Sequence, residues 1–333
     1  MPDITIVQAR AQFLESIKLP RSTNTIQTYN KALEAFLSML ADQQIDIVNF
    51  PVTQLTENSV ADFVTYVSHW SPSTESLYLQ VIKSFFEFID SEHLATINLS
   101  RIRMLIRQRG RRSETQSEQY PENDMKQLIE FMSNLANTSP PDGTEFENMR
   151  MRNMRDRALI LTLADTGLRV DEVCKLHCGD LNWSESRAIL NGRGNKQAYV
   201  RFSTRALDAL RDYLTLRAAL DMETGRPLLT LPLFARHDKG AGKKIQPITT
   251  TTIRNIVADR VHQFLGSEAV GKITPHTFLH YFVTTILRKT GNLKLAQVLA
   301  RHTSIQVTQK YAHIDDDELD KGYYEIFEKK DRK

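Results

Sequence analysis

The sequence predicts a mainly α-helical protein of two domains, the second a mixed α+β domain with one small β-hairpin. Three observations predict it. At 333 residues the chain can bury two separate cores. Apolar residues recur at helical spacing over most of its length, broken near residue 110 by an arginine-rich block and a polar segment. Strand-like runs are confined to residues 187–202, on either side of Gly192-Arg-Gly-Asn195.

The first hundred residues read as four helices, enough for a small bundle. Ile4–Ser16 shows apolar residues at helical spacing, and a second helix starts at Asn24 or Thr25 and runs through Tyr29, Leu33, Phe36 and Leu40. Thr56–Trp70 and Ser73–Ile89 follow, the last preceded by Ser71 and Pro72, a capping start. These assignments set a helical first domain at 1–112 and a linker at 113–121, with the arginine block as its border.

The second domain is expected over 122–314. Glu122–Leu135 and Met149–Asp165 read as helices, the latter with Arg150, Arg152, Arg155 and Arg157 near its start; 136–145 is loop by composition. Thr166-Gly-Leu-Arg-Val-Asp-Glu172 turns into a further helix. Arg187–Asn191 and Lys196–Phe202 form the hairpin, with Lys196 at its tip. Helices Ser203–Ala219 and Thr249–Leu265 flank a Gly/Lys-rich loop at 238–244. Thr274 is a suitable N-cap and Pro275 a suitable first helical residue, so His276 falls in a first turn, where free N–H groups favour an anion. Residues 315–333 are charged and amphipathic, with Leu319, Tyr323, Tyr324, Ile326 and Phe327, and suit docking on a neighbour.

Composition narrows the function classes. An apolar share of 41% and a charged share of 25% are those of a soluble globular protein. Cys174 and Cys178 have no second pair to complete a zinc site and read as packing thiols in a reducing compartment. No secretory pattern opens the chain, and no apolar run approaches the roughly eighteen residues of a membrane span, so a cytoplasmic protein without metal or cofactor is expected. The net charge of +3 is unevenly spread: the first hundred residues carry five basic and eleven acidic side chains. Arg101, Arg103, Arg107, Arg109, Arg111 and Arg112 then follow with no acid among them, a pattern that suits phosphate contact with double-stranded DNA.

Arg169 in Thr-Gly-Leu-Arg-Val-Asp-Glu, Lys196 on a hairpin, His276 in His-Thr-Phe-Leu-His, His302, and Tyr311 nine residues later resemble the tyrosine recombinase (phage integrase) family. The motifs cover about the last 210 residues, and residues 1–112 resemble the family's helical core-binding domain more loosely. The resemblance implies a site-specific recombinase that cleaves and rejoins DNA through a 3′-phosphotyrosine, as a tetramer whose tail packs onto a neighbouring subunit. Arg169 is then a phosphate clamp, Lys196 the general acid and Tyr311 the nucleophile. His276 holds a non-bridging oxygen or moves a proton, and His302 bonds the phosphate or buttresses the nucleophile. Glu172 and His280 support them; Glu172 orients Arg169 or caps its helix, and Arg193 is a rival to Lys196.

One position departs from the pattern. Three residues after the first His the family carries a second Arg, and here stands Leu279, which offers neither charge nor hydrogen bond. Either Leu279 impairs catalysis and leaves DNA binding intact, or another arginine such as Arg301 substitutes. The first is favoured, because the other five site residues are all present. Ala300 and Arg301 also stand where the family usually has Leu-Gly. Two rivals remain: a DNA-binding protein without strand transfer, and a type IB topoisomerase activity with the same chemistry but no synapsis.

Overall fold

The chain forms two units, Met1–Glu118 and Gln119–Lys333, each with its own apolar core. The structure, a computed structural model, describes residues 4–19, 21–110, 120–135, 144–191, 197–238, 240, 244–309 and 311.

The first unit contains α1 (Ile6–Ser16), α2 (Thr23–Asp42), α3 (Glu57–Val67), α4 (Pro72–Ser91) and α5 (Leu99–Arg109). Thr5 and Gln8 start α1 by exchanging backbone N–H and side-chain oxygen, a capping box. Ser22 and Ser71 accept from the N–H groups of Thr25 and Thr74 and so open α2 and α4. The Ser22 cap moves the start of α2 to Thr23, one residue ahead of Asn24 and two ahead of Thr25, the two expected starts. Phe13, Phe36, Phe63, Phe85 and Phe86 fill the core, with Phe36 edge-on to Phe63 at 5.4 Å.

The arginine block is not a connector but a fifth helix. Asn98 caps it through the Arg101 N–H, and Ile102 and Leu105, one turn apart, are buried where α5 packs on α3 and α4. That apolar stripe leaves Arg101, Arg103, Arg107 and Arg109 exposed. Arg111 and Arg112 lie outside the described residues.

The second unit contains α6 (Glu122–Asn134), α7 (Thr144–Thr166), α8 (Val170–Lys175), β1 (Leu181–Asn182), β2 (Arg187–Asn191), β3 (Gln197–Arg201), α9 (Thr204–Glu223), α10 (Thr250–Leu265), α11 (Pro275–Thr290), α12 (Leu293–Leu299) and α13 (Ile305–Gln309). The strands form an antiparallel sheet in the order β1-β2-β3, one strand more than the expected hairpin. Buried Ala188 and Val200 face each other across β2 and β3. α7 packs against α6, α9 and α11, and Ala158–Ala164, apolar but for Thr162, is therefore buried on every side. In α9, Arg217 is wholly buried. It donates to Asp221, to the Tyr213 hydroxyl and to the carbonyls of Pro232 and Leu233, which fastens the 231–235 segment to the helix. Lys196, Arg193 and the turn at 192–195, most of the loop expected at 136–145, and the tail at 315–333 lie outside the described residues.

Candidate active site

Three separate stretches of the second unit carry the expected groups. The first is the turn between α7 and α8. Gly167 adopts φ +59°, and a Cβ there would lie 2.4 Å from Cδ1 of Phe282 on α11. Only glycine permits both the left-handed turn and this close approach. Thr166 Oγ1 accepts the Leu168 N–H at 3.2 Å, completing the turn. Arg169 follows, its side chain 42% exposed. Glu172 accepts the Arg169 backbone N–H at 2.8 Å and Nη1 at 3.3 Å. It thus starts α8 and orients the guanidinium together.

The second stretch is the start of α11. Thr274 is its N-cap and Pro275 its first residue, with the Thr274 N–H donating to Thr277 Oγ1 at 3.0 Å. His276 stands exposed in the first turn. One turn on, Leu279 is 4% exposed and packs with Val283, Ala296 and Ala300, against which the half-buried Tyr311 also lies. No cation occupies that position of the helix face.

The third stretch runs from α12 to Tyr311. His302 N–H donates to the Gln297 carbonyl at 3.0 Å and Arg301 N–H to that of Val298 at 3.1 Å, with Arg301 at φ 56°. This is the Schellman ending of a helix, with an arginine where glycine is usual. It turns His302 inward, where its Nδ1 lies 2.9 Å from Thr308 Oγ1 of α13. Tyr311 N–H donates to the Thr308 carbonyl at 3.0 Å, so Thr308 holds the imidazole with its side chain and the tyrosine with its backbone. The Tyr311 ring stacks on His302 at 6.1 Å and meets His280 edge-on at 4.7 Å, and His280 in turn stacks on Tyr120 at 4.2 Å.

The electrostatics tie these stretches together. Burial raises the Tyr311 pKa above its ordinary value, and the Arg169 charge pulls partly against it, so the phenol is protonated at neutral pH. Burial lowers the His302 pKa, and the charges of Arg169, Arg301 and His276 push it the same way. His302 is therefore a neutral imidazole at pH 7. A fixed guanidinium, a neutral imidazole and a phenol in mutual electrostatic range can hold an anion and attack its central atom. Among the described residues no group of three or more His, Cys, Asp or Glu is placed to hold a metal ion, and no helix is long and apolar enough to cross a membrane.

Two contributors were not assigned a role from sequence. Thr308 and Tyr120 are an ordinary helical threonine and a residue next to the linker, and only folding brings them to the site. Arg301, weighed from sequence as a substitute cation, stands at a helix ending that favours glycine.

The phage integrase family model matches residues 119–318, and that of the phage integrase N-terminal SAM-like domain matches residues 11–93. Tyrosine recombinase XerC of Thermodesulfovibrio yellowstonii is 26% identical over 305 residues, spanning 91% of this chain and 90% of the relative. XerC of Bacillus subtilis is 26% identical over 314 residues, 93% of each chain. The Tn1549 transposon integrase, solved in complex with transposon right-end DNA, superposes with a TM-score of 0.67 at 15% identity over 98% of this chain and 100% of that one, a likeness of fold.

Proposed function

The chain belongs to the phage integrase family, the tyrosine recombinases, which are DNA strand transferases of site-specific recombination, and from this we propose that Tyr311 is its nucleophile. Arg169, Lys196, His276 and His302 serve it. The carrying observation is convergence: Glu172, paired with Arg169, also pairs with Arg301, and the ring of the next residue, His302, stacks on Tyr311, which is 142 positions from Arg169 in sequence.

In this reading Arg169 clamps a non-bridging oxygen of the scissile phosphate and His276, at the start of α11, holds another. The Tyr311 hydroxyl attacks phosphorus and passes its proton to an imidazole of the site, His276 being the exposed one. The P–O5′ bond breaks as Lys196 protonates the departing oxygen, giving a 5′-hydroxyl and a 3′-phosphotyrosine. A 5′-hydroxyl of a second strand attacks that ester, the P–O bond to Tyr311 breaks, and the phenol is restored. One phosphoester replaces another at each step, so no ATP is consumed. His302, buried and fixed by Thr308, buttresses the tyrosine ring.

We assign residues 1–112 to DNA clamping, 113–121 to a linker, 122–314 to catalysis and 315–333 to docking on a neighbour. The arginines at 101, 103, 107, 109, 111 and 112 contact DNA phosphates, in a cytoplasmic tetramer assembled on two duplex sites. Leu279, packed among apolar side chains, withholds the second phosphate contact and slows strand cleavage. The same observation favours a second reading, in which the chain binds DNA without transferring strands.

Incubation with a pool of nicked duplexes carrying a randomised core, followed by SDS and sequencing of the protein-linked DNA, tests both. SDS-resistant adducts lost in Tyr311→Phe are expected. DNA binding with no Tyr311-dependent adduct, in the native chain and in Leu279→Arg alike, leaves the binding protein. Relaxation of plasmid lacking any selected site points instead to a topoisomerase.

A further inference from the structure

Arg301 carries an unusual combination of features. It is a non-glycine residue in the left-handed region, φ 56°, and its side chain is 12% exposed. Such a backbone persists in a bulky residue only where surroundings fix it, and the side chain supplies the fixing. Nη2 donates to the Gly167 carbonyl and to Glu172 Oε2, both at 2.8 Å; Nη1 faces the carbonyls of Leu299 at 3.2 Å and Thr166 at 3.5 Å. Nε is buried and meets no hydrogen-bond partner. Three of these four acceptors lie within residues 166–172, the stretch that carries Arg169.

These bonds decide between two possible roles. With its terminal N–H groups committed to protein oxygens, Arg301 has no free fork for a phosphate. It acts through Glu172. That carboxylate lies between two guanidiniums, accepting from Arg169 at 3.3 Å and from Arg301 at 2.8 Å. Arg169 and Glu172 alone sum to zero charge; with Arg301 the trio sums to +1. An arginine at 279 and a glycine at 301 would give the same total. Leu279 and Arg301 thus keep the site's charge while moving it from α11 to the end of α12.

We propose that Arg301 is a positioning residue for strand transfer: it neutralises Glu172, so that Arg169 presents an uncompensated positive charge to the scissile phosphate in place of the cation absent at Leu279. The proposal rests on the reading of Arg169 as the phosphate clamp. It gives the native chain a charged but donor-poor site, able to hold the phosphate and slow to cleave it.

The test uses inorganic phosphate as probe, with binding to the full chain followed through the side-chain ¹⁵N shifts of His276 and His302. Arg301→Gly suits the left-handed backbone but gives up four hydrogen bonds, so its melting temperature should fall, and affinity is measured well below it. Its phosphate affinity should fall by about tenfold. Adding Glu172→Gln removes the charge Arg301 neutralised and keeps a carbonyl oxygen for the Arg169 N–H, so Arg301→Gly/Glu172→Gln should regain most of the loss. Arg301→Lys, which keeps charge without the fork, should lie between. Undiminished affinity in Arg301→Gly overturns the proposal, as does a double variant no better than the single, because a purely structural clasp is not mended by removing its partner. If Arg301→Gly unfolds, Arg301→Lys with and without Glu172→Gln decides by the same comparison. Arg169→Gln separates the two levels: if it binds phosphate like the native chain, the clamp reading itself has failed, whatever Arg301 does.

Discussion

Replacing Leu279 by arginine is the most direct challenge to this account of the site. Leu279 lies three residues after His276 on α11, so the two share a helix face, and it belongs to the apolar cluster against which Tyr311 lies, so a longer side chain there extends toward the site. A donor that meets the phosphate only as charge develops is worth roughly 10²–10³ in rate, about 3–4 kcal/mol. Against this stands repulsion from the trio of Arg169, Glu172 and Arg301, whose net charge is +1. Two like unit charges about 8 Å apart in an effective dielectric of about 20 repel by about 2 kcal/mol, the scale of that cost. Bound phosphate relieves that repulsion, so the cost falls on the stability of the free protein and not on the chemical step. Leu279→Arg should therefore raise the single-turnover rate of adduct formation on a selected nicked duplex by about 10² or more. It should also lower the melting temperature by about 4–8 °C, the aliphatic stem keeping much of the apolar contact. A folded variant with an unchanged cleavage rate refutes the claim that this position withholds a catalytic contact.

Three further expectations rest on other parts of the molecule. Gly167→Ala places a methyl group against the Phe282 ring in a left-handed turn and should cost about 2–4 kcal/mol, read as a fall in melting temperature together with loss of adduct; native-like stability excludes this packing. His237, bonded to the Tyr213 hydroxyl at 2.8 Å, has its pKa lowered from 6.5 to about 3, by burial first and then by the Arg155, Arg217 and Arg152 charges. The unfolded chain binds the proton more readily, so this contribution is complete above about pH 6.5 and fades as pH falls toward 3, by up to about 1.4 kcal/mol per unit. Urea melts between pH 7 and 5 should show a steeper loss for the native chain than for His237→Asn, and equal slopes count against it. Arg107→Gln/Arg109→Gln should weaken DNA binding across sequences and reduce the slope of log affinity against log salt by about 2, whereas an unaltered slope removes α5 from the DNA interface.

Much of the fold was legible because helices declare themselves locally. Caps at Ser71 and Thr274 and apolar spacing along α1 to α4 placed those elements within a few residues of where they form. The arginine block misled because its mean polarity masks Ile102 and Leu105, which need only one stripe to hold a helix against α3 and α4. β1 was missed for a related reason: two residues carry no periodicity, and Leu181–Asn182 becomes a strand only because β2 is there to pair with it.

The same division runs through the site. The sequence by itself determined which chemical groups are present and in what order, since turn glycines, helix starts and the spacing from His302 to Tyr311 are local features. It also marked Leu279 and Arg301 as departures. Tertiary structure alone decided what those departures do to each other. Arg301 meets Glu172 across 129 positions, and Leu279 joins Ala296 and Ala300 beneath Tyr311. Charge compensation depends on distance through space, and no local pattern of residues encodes it.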